Sequence, residues 1–229
     1  MKKLYMFTLI YFIPTIGSAQ FKVGPKIGLN ICGATTNQSS TTVNLYTSFS
    51  GGIVGEFNFL DKLAIQANFL ISSKGYNYLD VQENKSNNTS QNTFSKSSVV
   101  TSRGTRSYLY LDFPVYLLYK KDLGIGKAFV GAGGYLAYAV WGVDKSQTTY
   151  VVGASNDLSL SSINDTYDLE KSNELNKVDG GLVFTLGLEF NERLQLQGLY
   201  QLGLTDIDAS DRVVRNWNFN ISLAYLLGK

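Results

Sequence analysis

The sequence predicts an all-β fold: an eight-stranded antiparallel up-and-down transmembrane β-barrel with short periplasmic turns and long extracellular loops. Three observations carry this expectation. From Phe21 onward apolar residues recur with period two, the links between alternating segments are long and short in turn, and no later segment holds 18 consecutive apolar residues. Period two marks a strand with two unlike faces. A chain that enters a membrane without an apolar helix must do so as a closed barrel, because hydrocarbon offers its backbone no other hydrogen-bond partner. Composition agrees. Of 229 residues 44% are hydrophobic and only 17% charged, against roughly 25% in soluble domains. Strand-forming Tyr (15) and Phe (13) are abundant while Pro (3) is scarce.

Residues 1–19 read as a signal peptide. Lys2 and Lys3 supply the positive start, Leu4 to Ile13 the apolar stretch, and Gly17-Ser18-Ala19 the small residues before a cleavage ahead of Gln20. The apolar stretch is too short to span a bilayer. Residues 20–229 then form one barrel domain. Its first strand sets Val23, Ile27 and Leu29 against Lys22, Lys26 and Asn30. The second sets Ile53, Phe57 and Phe59 against Glu56 and Asn58, and the third Leu63, Ile65, Phe69 and Ile71 against Gln66, Asn68 and Ser72. In the fourth, Leu109, Leu111, Phe113, Val115 and Leu117 oppose Tyr110, Asp112 and Tyr116. The fifth, Lys127 to Trp141, is rich in small residues and ambiguous in facing, although Val130, Ala132, Leu136 and Val140 share one parity. The sixth places Leu182, Phe184, Leu186, Leu188 and Phe190 opposite Gly181, Thr185, Gly187 and Glu189. The seventh opposes Leu194, Leu196, Tyr200 and Leu202 to Gln195, Gln197 and Gln201, and the eighth Trp217, Phe219, Ile221, Leu223, Tyr225 and Leu227 to Asn216, Asn218, Asn220 and Ser222.

Tight turns are expected at residues 60–62, 122–126 and 191–193, and longer links at 32–46, 79–106, 142–177 and 205–214. The long links are rich in Asn, Ser and Thr, lack apolar period and read as solvated, mobile loops. Pro25 and Pro114 fall inside strands and remove ladder donors, so bulges are expected there.

The polar face is mostly Gln, Asn, Ser, Thr and Gly, which suits a narrow interior better than a face in bulk water. Its charges have both signs, Lys22 and Lys26 with Glu56, Asp112, Asp179 and Glu189, and buried charges need partners. A cross-barrel network of ion pairs and hydrogen bonds is therefore expected, with a structural role. No charge falls on the apolar face, and the aromatics Tyr46, Phe59, Tyr108, Tyr119, Trp141, Phe190, Trp217 and Tyr225 read as interfacial belts. A soluble periplasmic lipid-binding barrel, with the apolar face inward, stays open as an alternative.

Several functions are disfavoured. The chain has no His, which removes Ser-His-Asp and Cys-His pairs and histidine metal sites. Cys32, the one cysteine, has no disulfide partner and reads as a small residue at a strand end. Lys and Arg number 20 against 18 Asp and Glu. With Lys2 and Lys3 set aside the charges balance, so no nucleic-acid partner is expected. No enzyme, cofactor or metal is expected; the residual acid/base candidates are carboxylate pairs such as Asp112 with Glu189.

Tyr108 to Lys120, YLYLDFPVYLLYK, resembles the YLEIPLLLKY strand of the small outer-membrane β-barrel family that includes PorT-like proteins. Lys22 to Asn30 resembles that family's first strand, and Asp179 to Phe190 with Tyr200 to Ile207 its sixth and seventh. The resemblance implies the barrel fold and the cell outer membrane, with no shared catalytic residues. It also implies, as an alternative to a structural or surface-interaction role, an accessory part in secretion across the outer membrane. Asn220, Ser222, Tyr225 and Leu227 resemble the terminal signal read by the outer-membrane assembly machinery, departing from it in Ser222 where glycine is usual. The expected partners are thus outer-membrane lipid, that machinery, and an extracellular or secretion-system partner at the long loops.

Overall fold

Every strand leaves a row of N–H and C=O groups along each edge, and this sheet answers by closing on itself. In the computed structural model the described residues are 20–38, 40–85, 97–154, 157–168, 176–209 and 213–228. The expected leader at 1–19 lies outside them. The strands are β1 (Gln20–Thr36), β2 (Thr41–Asn44), β3 (Tyr46–Leu60), β4 (Leu63–Lys85), β5 (Ser97–Asp122), β6 (Lys127–Ala154), β7 (Asp157–Asp168), β8 (Val178–Phe190), β9 (Leu194–Gly203), β10 (Val214–Tyr225) and β11 (Leu227–Gly228). Eight of them form an antiparallel ring, β1-β3-β4-β5-β6-β8-β9-β10, shut by the pairing of β1 with β10 from Lys26↔Ala224 to Thr36↔Val214.

The alternation resolves into an outside and an inside. Ile27, Ile53, Ile65, Val115, Val130, Leu136, Leu186, Leu196 and Leu223 are exposed on the outer surface, while Lys26, Gln66, Asp112, Gln197 and Asn220 are buried within. The fifth strand's parity is settled the same way: Val130, Leu136 and Val140 face outward. Among the expected belt aromatics, Phe59, Tyr119 and Tyr225 are exposed near the short-turn end and Trp141 near the other. Tyr108 is a correction: it keeps the inward parity of Tyr110 and is buried in the lumen.

The tight turns lie where the sequence puts them, at 61–62, 124–126 and 191–193. In the last, Asn191 and Glu192 both adopt left-handed backbone (φ 49° and 57°), and the Arg193 amide donates to the Phe190 carbonyl at 3.1 Å. Positive φ at two successive residues is the geometry of the primed turns, whose twist matches that of the flanking strands.

The long links depart from expectation. β4 and β5 stay paired up to Lys85↔Ser97, β5 and β6 up to Ser97↔Gly153, and β7 folds back along β6 from Val143↔Asp168 to Ala154↔Asp157. With β2 on β4 at Thr41↔Asp80 to Asn44↔Asn77, they make a sheet of order β2-β4-β5-β6-β7 beyond the ring. β9 crosses the ring in 10 residues, whereas β5 has 26 and β6 has 28. At ~3.3 Å per residue the excess is on the order of 50 Å of strand. Residues 86–96, 155–156 and 169–175, parts of the expected loops, lie outside the described residues. The period failed to announce this sheet because beyond its base, where Val43, Tyr76 and Tyr78 join the core cluster, its described side chains are half-buried or exposed, and alternation records a buried face. Its runs of β-branched and aromatic residues, such as Val99-Val100-Thr101 and Thr148-Thr149-Tyr150-Val151, are the remaining signal. Cross-strand side-chain bonds reinforce it, among them Ser102 with Thr148 at 3.0 Å and Arg103 Nε to Gln147 Oε1 at 2.7 Å.

The prolines are a second correction. Pairing flanks Pro114 at Ala67↔Val115 and Leu70↔Asp112, the same register on both sides, so the missing N–H opens the β4–β5 ladder without a bulge. Pro25 similarly interrupts β1 between Val23↔Leu227 and Lys26↔Ala224 with its register kept. The bulge that matters lies elsewhere. Leu109 faces Trp141 while Tyr110 faces Ala139, so Val140 is the extra residue of β6. Parity flips there, which sends Asp144 into the barrel.

Replacing Leu186, 65% exposed near the middle of β8, with Arg should destabilise the protein in a bilayer by about 2–4 kcal/mol. Urea unfolding in lipid vesicles measures this; an unchanged midpoint would show that the apolar face does not meet hydrocarbon.

Candidate functional site

Inward side chains from all eight ring strands fill the lumen in tiers, which are best followed from the short-turn end. At the first tier two carboxylates share one ammonium: Lys120 Nζ lies 2.5 Å from Glu56 Oε1 and 2.6 Å from Glu189 Oε2. Lys22 adds a second cation 3.5 Å from Glu189 Oε1 and donates to the Glu192 carbonyl at 2.9 Å. Gln195 Nε2 donates to Glu56 Oε2 and to Glu189 Oε2, both at 2.9 Å, and Gln66 Nε2 donates to Glu56 Oε2 at 3.1 Å. Two acids and two lysines are thus mutually neutralised and their lone pairs occupied, the condition under which a buried ion cluster is tolerated.

One tier further in, Lys26 Nζ donates to two amides, Asn68 Oδ1 at 3.2 Å and Gln197 Oε1. The Tyr116 hydroxyl donates to Gln66 Oε1 and accepts from Asn68 Nδ2 at 3.1 Å, which joins this tier to the first. Asp112 follows, with Lys74 Nζ at 3.0 Å and both carboxylate oxygens accepting from Gln201 Nε2. The Lys74 ammonium also lies over the rings of Tyr135 (4.6 Å) and Tyr110 (5.3 Å), whose π faces attract a cation. Next to it Asn30 Oδ1 accepts from Asn220 at 2.8 Å and Asn218 at 3.3 Å, while Asn30 Nδ2 donates to Ser72 Oγ at 3.1 Å. Asp179, fully buried, is held by neutral donors: the Tyr135 hydroxyl at 2.9 Å, Asn216 Nδ2 at 3.0 Å and the Thr205 hydroxyl at 3.2 Å. At the far end Arg106 is clamped by Asp144 (Nε to Oδ2, 2.7 Å) and Asp208 (Nη1 to Oδ2, 3.3 Å), and Tyr78 donates to Asp144 at 3.0 Å.

The six charges anticipated from the sequence, Lys22, Lys26, Glu56, Asp112, Asp179 and Glu189, all lie in the lumen. Among them the structure joins Lys22 to Glu189 and leaves Lys26 and Asp179 to neutral partners. It adds Lys74, Arg106, Lys120, Asp144 and Asp208, so five cations face six carboxylates among the described buried residues. That near-balance gives the lumen little net field. The acid/base pairing of Asp112 with Glu189 fails on distance. Asp112 pairs with Ala137 and Glu189 with Lys127, ten residues apart along β6, or about 30 Å.

Cys32 lies within β1 rather than at its end, buried in the lumen, and its thiol donates to Asn218 Oδ1 at 3.3 Å. Of the residues of the terminal signal, Asn220 and Ser222 point inward, while Tyr225 and Leu227 lie on the outer surface. Trp217 lies across β1 at Gly33, where any Cβ would run into its indole ring.

The space left between the tiers decides what the lumen can do. Between Asn30, Asp112, Gln201 and Asn220 the gap is about 10 Å³, no more than one water needs. Space opens at the two ends. A mouth of about 740 Å³ at the short-turn end is bordered by Lys22, Lys120, Lys127, Glu189 and Glu192. A cup of about 220 Å³ lies at the other end, floored by Arg106 and walled by Tyr76, Tyr78 and Asp80. On the rim of the mouth Lys127 Nζ lies 2.7 Å from Glu192 Oε1. This hydrogen-bonded ammonium holds the Glu192 carboxyl below the usual carboxylate range, and Glu192 in turn raises Lys127. The pair is largely solvated, so it adds little stability.

Lys120→Met should cost about 3–5 kcal/mol, because it strands Glu56 and Glu189 together in a buried site. Lys127→Met, which breaks the solvated pair, should change stability by less than about 1 kcal/mol. Denaturant midpoints of the two variants in one detergent test the contrast, and equal midpoints would remove the buried cluster from the account of stability.

The chain matches no curated relative. Its fold is similar to solved outer-membrane barrels at low identity. Ail of Yersinia pestis has 8% identity and a TM-score of 0.36, covering 91% of this chain and 99% of that one. Neisserial surface protein A has 13% and 0.35, covering 91% and 98%. OprG of Pseudomonas aeruginosa has 14% and 0.36, covering 92% and 96%. The family model described as outer membrane protein beta-barrel domain matches residues 17–209. An outer-membrane barrel keeps its apolar face toward lipid, which overturns the soluble-carrier alternative. Closed ring, lipid-facing apolar band and family match together show that the chain belongs to the outer membrane protein beta-barrel domain family and is a protein of the cell outer membrane.

Proposed function

We propose that this is a noncatalytic barrel that blocks its own lumen and serves to hold an extracellular β-sheet outside the membrane for surface interaction. The observation that carries the reading is the contrast between the two halves. Inside the ring the gap among Asn30, Asp112, Gln201 and Asn220 is about 10 Å³, while beyond the ring five strands remain hydrogen-bonded into a sheet. An eight-stranded ring is wide enough for side chains and little more, so transport through it is disfavoured. Among the described residues no inward group has the nucleophile-and-base arrangement that hydrolysis needs. Outer-membrane lipid is the partner of the apolar band. The assembly machinery is the partner of the last strand, with Asn220, Ser222, Tyr225 and Leu227 as the terminal signal.

In planar bilayers the purified protein should show no steady conductance, and protease added to intact cells should cut β7 and the parts of β4, β5 and β6 that extend beyond the ring, while sparing the ring itself. Stable channel openings, or resistance of the whole chain in intact cells, would sink the reading.

The strand Tyr108 to Lys120 favours one further reading, an accessory role in secretion across the outer membrane like that of PorT-like proteins. Deletion should then leave secreted proteins trapped in the periplasm; unchanged secretion excludes it.

A further inference from the structure

Beyond the ring the sheet of β4, β5, β6 and β7 has two faces, and its register sorts the charges between them. Residues directly opposite in an antiparallel ladder share a face. The inner face, marked by the buried Asp144, carries Asp80 and Asp165 together with Arg106. The outer face carries Arg103 and Lys145, with Asp168 as the one carboxylate among the described side chains. Acids thus gather inside and cations outside. Both outer cations are exposed, and neither is joined to a carboxylate among the described residues.

Arg103 is held in place by its neighbours. Its Nε donates to Gln147 Oε1 at 2.7 Å and its Nη2 donates to the same oxygen, while Gln147 Nε2 donates to Ser162 Oγ at 3.3 Å. The guanidinium is therefore tied through β6 to β7, and its Nη1 is unengaged among the described residues. A planar fork fixed in advance suits the oxygens of a phosphate. Lys145 pairs with Thr105, two residues from Arg103 on the same face, so the two cations are diagonal neighbours with backbones ~7–8 Å apart. Height selects the anion. Trp141, 50% exposed, ends the apolar band on β6. Lys145 follows it by four residues, which at ~3.3 Å per residue is about 13 Å of strand, or about 10 Å of height at a tilt of about 40°. The headgroup layer reaches roughly 5–8 Å beyond the hydrocarbon, and a lysine stem that can snorkel covers the difference. Outward-facing cations at this level meet lipid heads, and the anion those heads offer is phosphate.

We infer that Arg103 and Lys145 form a binding site for the phosphate of an outer-leaflet lipid, with the Arg103 fork and the Lys145 ammonium on different oxygens of one phosphate. Asp168, opposite Val143 and nearer the membrane, leaves the patch with little net charge, too little to draw in a polyanion such as nucleic acid. The site would moor the base of the extended sheet to the lipid around it, and it is independent of what the rest of that sheet binds.

The test is native mass spectrometry of the full chain in a mild non-ionic detergent, titrated with diphosphorylated lipid A, with the same lipid stripped of its phosphates, and with inorganic phosphate. The chain should retain one phosphorylated lipid and bind the stripped lipid about tenfold more weakly. Replacing both cations, Arg103→Ala with Lys145→Ala, should lower affinity for the phosphorylated lipid by about tenfold or more, as expected when charge-assisted hydrogen bonds are lost. Lys145→Arg, which keeps the charge, should retain it. Lys121→Ala removes an exposed cation at the short-turn end and should leave it unchanged. All variants must keep the gel shift between unheated and boiled samples, so that loss of binding is separated from loss of fold. Equal retention of the two lipids overturns the proposal, because acyl chains alone would then explain binding. So does an equal loss in Lys121→Ala, the mark of diffuse charge attraction, or inorganic phosphate binding as tightly as the lipid, the mark of a site for a free anion. None of these results touches the surface-interaction reading, which stands or falls on the conductance and intact-cell protease measurements.

Discussion

Hydrocarbon accepts no hydrogen bonds from a peptide, and from that exclusion most of this molecule follows. A sheet immersed in lipid must lose both edges, so β1 has to find β10. Closing eight strands leaves an interior too narrow for bulk water and too polar to be left dry and unfilled. The inward residues therefore bond to one another. Gln66, Gln195, Gln197, Gln201 and the asparagines 30, 216, 218 and 220 each have both a donor and an acceptor, so they connect charges at different heights without adding charge. Where a carboxylate does enter, it receives either a cation, as at Glu56 and Asp144, or several neutral donors, as at Asp179. Both are ways of compensating a buried charge, and the second leaves the tier with a net negative group.

Legibility in the sequence tracked burial. Wherever one face packs on lipid and the other on the lumen, the period of two named the strand, its facing and its turns. Lys120 kept the inward parity of Asp112 and Tyr116, and Lys74 that of Gln66, Asn68 and Ser72, so both were readable in principle. Lys74 lies beyond the last apolar residue of its alternation, where the pattern no longer marks a strand. Arg106 and Asp144 are harder. They lie in stretches where the sheet leaves the membrane, and Val140 shifts the parity of β6 just before Asp144. A bulge is one extra residue, and composition does not say which. Tyr108 shows the converse error, since an aromatic near a strand end satisfies a belt or a lumen equally well until its neighbours' facing is known.

The extension beyond the ring reverses the logic of the barrel. In the ring, lipid enforces pairing; outside, water competes for every backbone group, and pairing persists because β4 and β5 leave the membrane already in register. The ring acts as a nucleus for a sheet that could not bury enough surface to form alone. β6 shows the handover most directly, pairing with β8 through Tyr138 and with β7 from Val143.

The shared ammonium of Lys120 has a consequence for how the ring comes together. Its two carboxylates belong to β3 and β8, which lie on opposite sides of β5 with another strand between each and it. A half-curled sheet would hold Glu56, Lys120 and Glu189 as three separate ions in a thinning water layer. They can meet only once curvature has brought β3 and β8 face to face across the lumen. A register slip of one residue would turn any of the three outward into lipid, where no partner exists. The cluster thus works as a latch that engages last, and a wrongly registered ring cannot close it.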